Sequence, residues 1–194
     1  MTKCAIAILE RFAQDEFLPY WAEFWPACRL LAELVDGWPT VPDGAAPPTV
    51  LEIGCGLGLA SLVARSRGYS VIASDYDDDA LAFVEASSER NAIPTPVLRW
   101  LDWREHYQDL QPQRIIAAEV LYERRNLPAI ARFLRYHLAP GGVAWIVDGN
   151  RQTADAFPDA CTAEGLRVAA HRLRGAASDC SDVNGRVFEV RPTA

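Results

Sequence analysis

The run Glu52-Ile53-Gly54-Cys55-Gly56-Leu57-Gly58 sets one carboxylate and three glycines within seven positions, directly after apolar Val50 and Leu51. Glycines at this spacing let the chain turn tightly and let a ligand approach bare main chain. A helix leaving such a turn adds unpaired N–H groups. Further stations stand at the ends of later apolar runs: Asp75, the pair Asp102-Trp103, and Glu119 with Tyr122 three positions on. Asp75 lies about twenty residues past the glycines, where a carboxylate accepts hydrogen bonds from ribose hydroxyls. Asp102 offers an acceptor for an exocyclic amine beside the flat ring of Trp103. The chemistry these residues share is nucleotide handling.

Several classes fall away. A phosphate-binding Walker loop needs a lysine after its glycines, and Lys3 is the only lysine among nineteen basic residues. A dinucleotide loop favours G-x-G-x-x-G, whereas this one reads Gly54-x-Gly56-x-Gly58. His106, His137 and His171 show no metal-ligand spacing, so no metal is expected. A formal net charge of −7 without a basic run argues against nucleic acid. No apolar stretch is long enough to span a bilayer, and no membrane partner is expected. The five scattered cysteines (Cys4, Cys28, Cys55, Cys161, Cys180) contain no C-x-x-C pair and read as reduced thiols in a cytoplasm. The opening "MTKCAIAILERFAQDEF" soon meets Glu10, Arg11, Asp15 and Glu16, lacks a cleavage region, and is expected to belong to the fold.

These residues must be positioned by a larger frame. The 194 residues read as a single domain over 1–194, with an N-terminal segment and Pro/Gly-rich linker over 1–48 and a core over 49–194. Strand-length apolar runs fall at Val50–Ile53, Ser70–Ser74, Val97–Trp100, Ile115–Ala118 and Val143–Val147. Helices are expected over Leu59–Arg67, Asp77–Arg90, Asn126–Leu138 (with Asn126 as the cap) and Asp155–Glu164. Alternation of strand and helix implies right-handed crossovers and parallel pairing. At the end, "RVAAHRL" and "GRVFEVR" have no helix between them and read as an antiparallel pair, with a tight turn expected at Asn184-Gly185. The fold class is α/β: a doubly wound, Rossmann-like sheet of seven strands, mostly parallel with an antiparallel last strand, and helices on both faces.

Glu52–Gly58, Asp75, Asp102-Trp103 and the "LAPGG" of Leu138–Gly142 resemble the class I, seven-β-strand S-adenosylmethionine-dependent methyltransferases. "PYWAEFWPACRLLAELV" (Pro19–Val35), "EVLY" (Glu119–Tyr122) and "DGNR" (Asp148–Arg151) narrow the resemblance to the family-16 protein-lysine methyltransferases, which include the electron-transfer flavoprotein β-subunit type. Ala27-Cys28 departs from some relatives, which carry small residues such as glycine there.

The resemblance implies S-adenosyl-L-methionine as cofactor and S-adenosyl-L-homocysteine as product. It places Glu52 near the methionine end, with Gly54, Cys55, Gly56 and Gly58 in the loop. Asp75 and Tyr76 then serve the ribose side, Asp102 and Trp103 the adenine, and Glu119 also borders the cofactor. Trp21 and Trp25 are either ligand-covering rings of an N-terminal flap or an extension of the core stripe of Ala27, Leu30, Leu31, Leu34 and Val35. Glu119 and Tyr122 are the catalytic pair by the same resemblance. The carboxylate orients an acceptor ammonium and then accepts hydrogen bonds from the amine. The competing role for Glu119 is a salt bridge to Arg124 or Arg125. The implied partner is a protein presenting a lysine, and the enzyme is expected to be a monomer. Two rivals are a small-molecule amine N-methyltransferase and a noncatalytic cofactor-binding domain.

Overall fold

The computed structural model describes residues 20–175 and 183–193. Seven strands form one sheet: β1 (Thr49–Ile53), β2 (Ser70–Asp75), β3 (Val97–Trp100), β4 (Arg114–Ala118), β5 (Val143–Asp148), β6 (Leu166–Arg174) and β7 (Asn184–Pro192). Their spatial order is β3-β2-β1-β4-β5-β7-β6. The first five pair in parallel. β7 runs antiparallel to both β5 and β6, so it is the one reversed strand. The expected doubly wound α/β sheet is present, with five α-helices among the described residues and its antiparallel strand last in sequence.

Central strands are buried on both faces, which is why β1 and β4 read as near-continuous apolar runs. One face carries α1 (Pro26–Asp36), α2 (Leu59–Ser66) and α3 (Asp78–Arg90). Here Ala27, Leu30, Leu31 and Val35 of α1 pack with Val50, Ala60, Ile116 and Val147, and Leu81 and Val84 of α3 pack with Leu62 and Ala73. The other face carries α4 (Asn126–His137) and α5 (Phe157–Ala163), which bury Ile130, Phe133, Leu134 and Phe157 with Leu51, Ile115, Ile146 and Phe188. Within the described residues before the linker, Pro26–Asp36 is thus part of the core. Each fully buried Leu, Ile or Phe contributes about 1.5–3 kcal/mol.

Local rules explain the corrections. Trp25 precedes Pro26 and is held extended (φ −74°, ψ 134°), so α1 begins at the proline and Tyr20–Ala22 forms a separate 3₁₀ turn. Trp21 and Trp25 therefore share no helix face. Asp77 is the cap of α3, not its first residue, and accepts from the Asp79 N–H at 3.0 Å. Asn126 is no cap. Arg125 before it is already helical (φ −64°, ψ −23°), so no extended residue is left whose side chain can fold onto the first turn. Arg67 and Leu138 end their helices as caps, and the expected helix over Asp155–Glu164 opens as a 3₁₀ turn over Gln152–Ala156.

Asn184-Gly185 is not a turn. Both residues lie in β7, opposite Arg174 and Leu173. A Cβ at Gly185 would stand 2.6 Å from Leu30 Cδ1 and 2.8 Å from the Asp148 carbonyl oxygen, so glycine serves close packing of α1 and β5 there. Cys4, Cys180, Pro19 and the opening segment through Phe17 lie outside the described residues.

Candidate active site

The carboxyl ends of the adjacent parallel strands β2, β1, β4 and β5 lie side by side along one edge of the sheet. After β1 the chain turns through Gly54, Gly56 and Gly58, all at positive φ (61°, 51° and 72°). The Gly58 N–H donates to the Cys55 carbonyl (2.8 Å), and the Cys55 N–H donates to Ser74 on β2 (2.9 Å). A Cβ at Gly56 would lie 3.2 Å from the Trp21 carbonyl oxygen, so the N-terminal turn passes directly over the loop. At Gly54 the same atom would meet Val120 and the Trp103 ring at 3.1 and 3.3 Å.

Two carboxylates brace this turn. Asp75 accepts from the Gly56 N–H at 2.8 Å and from the Asp77 N–H at 3.1 Å. Burial nonetheless raises its pKa. Glu52 is buried and takes the Ser61 N–H (2.9 Å) and hydroxyl (2.5 Å) from the first turn of α2. Desolvation outweighs those bonds, and its pKa is pushed up to about 7.

At the other end Glu119 follows β4 with φ 59°, a left-handed conformation that a glutamate rarely takes. Its side chain is only 8% exposed, and Oε2 accepts from Arg151 Nε at 2.7 Å. The Arg151 guanidinium lies 5.3 Å from the Trp25 ring centre. Trp25 donates its indole N–H to the Tyr20 carbonyl (2.9 Å), and the Tyr20 and Tyr122 rings stand 6.4 Å apart. Glu119 is therefore ion-paired, but not with the arginines that sequence proximity suggests. Arg125 pairs with Glu123 instead.

A methyltransferase-domain family model matches residues 21–180, most of the chain. The chain belongs to that family. Curated relatives include the electron transfer flavoprotein beta subunit lysine methyltransferases of Danio rerio, 38% identical over 80 residues, and Homo sapiens, 34% over 83 residues. Those matches cover 40% and 41% of this chain and 30% of each relative, so the chain spans about a third of their length. Among solved structures, a glycopeptide N-methyltransferase complexed with S-adenosyl-L-methionine aligns at TM-score 0.67 and 12% identity, covering 86% of this chain and 94% of that one. A ribosomal protein L11 methylase from Lactobacillus delbrueckii subsp. bulgaricus aligns at 0.62 and 19%, covering 84% and 77%. Both share the fold, that of class I S-adenosylmethionine-dependent methyltransferases.

The strand-end site of this methyltransferase fits that cofactor on its own evidence. Gly54 and Gly56 have no room for a side chain against Val120, Trp103 and Trp21, which keeps this turn bare main chain. Trp21 Nε1 is buried with no hydrogen-bond partner among the described residues. Glu52, buried, and Asp75, partly buried, supply carboxylate acceptors at the strand ends. Asp102 is less available: its carboxylate takes the Arg104 main-chain N–H at 2.9 Å and the guanidinium at 2.6 Å, and this pairing lowers its pKa. Trp103 packs against the α4-side core, and its ring lies 3.3 Å from where a Cβ at Gly54 would stand. Tyr76 is half-exposed, with its ring 5.0 Å from Trp100. Cys55 is buried in the turn, and burial holds its thiol protonated.

Ser61, Arg151 and Arg186 are residues of this neighbourhood to which sequence reasoning gave no role. Arg151 sits at the carboxyl end of β5, and the rule that located Glu119 also reaches it. A separate cavity of about 460 Å³ lies between the loop after β3 (Trp103–His106) and α4, and it includes none of Glu52, Asp75, Glu119 or Tyr122. Among the described residues no group of three metal-ligating side chains occurs, and no helix is long and apolar enough to cross a membrane.

Proposed function

We propose that this methyltransferase methylates a lysine side chain of a protein. The reading is carried by Glu119, a nearly buried carboxylate at the end of β4 whose partner Arg151 lies over Trp25, a ring that in turn neighbours Tyr20 and, through it, Tyr122. That partial-length relatives are lysine methyltransferases supports it. S-adenosyl-L-methionine, when bound, supplies an electrophilic methyl group on sulfur. The chain holds its nucleoside with Asp75, the Gly56 turn, Tyr76, Asp102 and Trp103, and its amino-acid end with Glu52 and Trp21.

An ammonium has no lone pair, so the acceptor must first lose a proton to solvent from an ordinary pKa of about 10.4. Its lone pair then forms the N–C bond as the S–C bond breaks. Glu119 accepts a hydrogen bond from the amine and aims that lone pair. Tyr122 bounds the other side, its phenol a neutral donor below the ordinary pKa of about 10. Most of the rate comes from alignment.

The exposed aromatic rings favour a macromolecule over a small free amine. Tyr20 (55%) and Tyr122 (42%), whose rings neighbour each other, leave apolar surface in solvent, as a docking protein would use and an enclosed small ligand would not. The free thiols Cys28, Cys55 and Cys161 accord with a reducing cytoplasm.

The test incubates the enzyme and labelled S-adenosyl-L-methionine with extract from cells lacking the protein. Methyllysine in a discrete protein is expected. Label confined to low-mass amines overturns the reading in favour of the small-molecule rival. Glu119→Gln should lose at least about 100-fold in turnover, as loss of a preorganised electrostatic contact does, while cofactor affinity stays within about twofold. Equal loss of cofactor binding would move Glu119 out of the acceptor site.

A further inference from the structure

Arg151 has a geometry more specific than loop bracing requires. Its main chain is fixed twice: the N–H donates to Asp148 Oδ1 at 2.8 Å, and the carbonyl accepts from Arg186 Nη2 at 2.7 Å. From that anchored turn the side chain lies over the Trp25 ring and delivers Nε to Glu119 Oε2. A carboxylate beside an indole face is the equipment that holds an alkylammonium. Here the protein's own guanidinium already uses it, 36% exposed where Glu119 is 8%.

The remaining charges facing Glu119 do not replace Arg151. Asp148, at the end of β5, adds negative charge and is offset by Arg186. The Cys28 thiol on α1 feels both Glu52 and Glu119, and with burial it is pushed up to about 12, hence neutral. Among the described residues Arg151 is the one cation paired with Glu119.

The geometry points to Arg151 as a positioning residue that acts through Glu119, keeping the carboxylate as half of a neutral ion pair so that the site accepts an uncharged amine over an ammonium. This rests on the amine-acceptor reading above. A bare carboxylate beside the acceptor would favour the ammonium, raising its pKa by about 1–3 units and withdrawing the lone pair the reaction needs. A neighbouring guanidinium cancels that bias. Arg151 therefore costs affinity for the protonated acceptor and gains reactive amine.

The first test needs no turnover. The full-length protein, saturated with S-adenosyl-L-homocysteine, is titrated with n-butylammonium chloride at pH 7. Arg151→Gln and Arg151→Met should bind it at least about tenfold more tightly than wild type, Arg151→Lys should match wild type, and adding Glu119→Gln to Arg151→Gln should remove the gain. Unchanged binding in both charge-removing variants, with S-adenosyl-L-homocysteine affinity intact, overturns the proposal. The second test follows label transfer to extract protein against pH. The rise in rate should move to higher pH by about one unit in Arg151→Gln and return in Arg151→Lys. Loss of rate with an unmoved profile assigns Arg151 to loop bracing and overturns the proposal. Label found only in low-mass amines sinks the lysine reading while leaving the n-butylammonium titration as the judge of Arg151.

Discussion

At the β1–β2 end of the strand edge the carboxylates are held largely by main-chain N–H groups, whereas at the β4–β5 end Glu119 is held by an arginine side chain. Asp75 takes Gly56 and Asp77, and Glu52 takes Ser61 with its hydroxyl. Glu119 is faced by the Arg151 guanidinium, while Asp148 takes the Arg151 main-chain N–H and lies beside the Arg186 guanidinium. Main-chain donors are fixed by the fold, so the first end is built to hold one ligand in one pose. Side-chain cations can be moved or exchanged for another cation, so the second end suits an acceptor that arrives and leaves. The same strand-end carboxylate is a clamp in one place and a binding partner in the other.

The largest effect should come from disturbing the main-chain end at Gly58. This residue is left-handed and caps α2, and an added Cβ would press into the Val84 side chain of α3. A left-handed alanine costs about 1–2 kcal/mol. Overpacking adds about 1–3 kcal/mol. Gly58→Ala should therefore lower stability by about 2–5 kcal/mol in urea denaturation and take the cofactor site with it. A loss below about 1 kcal/mol would mean that the turn yields, and the contrast between a rigid and an adjustable end would fail.

Glu52 sharpens the same comparison through pH. Its folded pKa, about 7, lies above its ordinary 4.5, chiefly because burial penalises the charge. The folded state thus holds the proton longer than the unfolded chain. Its contribution is full below pH 4.5 and is lost as pH rises through about 7. Relative to Glu52→Gln, wild type should lose about 3 kcal/mol of stability across that window. Asp75 shifts in the same direction and Asp102 in the opposite one, but both are present in either protein and cancel in the difference. Denaturation curves taken at intervals from pH 4 to 8 measure it. Parallel stability profiles for the two proteins would show that Glu52 is ionised in the fold, and the desolvated-clamp view would fall.

The two ends also differ in how far the sequence discloses them. The main-chain end is local: glycine spacing, a strand before and a helix after determine the turn, and the carboxylates sit at predictable strand ends. The same locality made most of the sheet readable, since each strand and helix carries its own period and stop signal. What escaped depended on distance. Arg151 meets Glu119 across 32 residues, and nothing near Glu119 marks that partner above Arg124 or Arg125. Asn184-Gly185 has turn chemistry, but Leu30 and Asp148, far away in sequence, press against Gly185 and set its role.

Asp102 stands between the two kinds of end, and it should give the smallest effect. It accepts one main-chain N–H, from Arg104, together with that residue's guanidinium, which is 64% exposed. An exposed pair of this sort is worth about 0–1 kcal/mol, so Arg104→Ala should change stability by less than about 1 kcal/mol. The substitution keeps the main-chain N–H, so Asp102 stays in place with one oxygen released. If Asp102 accepts the adenine amine, calorimetry should find cofactor affinity raised by up to about threefold in Arg104→Ala, because a competing cation is gone. In about 1 M salt, where screening extends only about 3 Å, the two proteins should converge. Asp102→Ala should then weaken binding by about 1 kcal/mol or more, the worth of an ordinary hydrogen bond. Unchanged affinity in both variants would take Asp102 out of the cofactor site and leave it as the cap of its own loop, joining neither the main-chain end nor the arginine end.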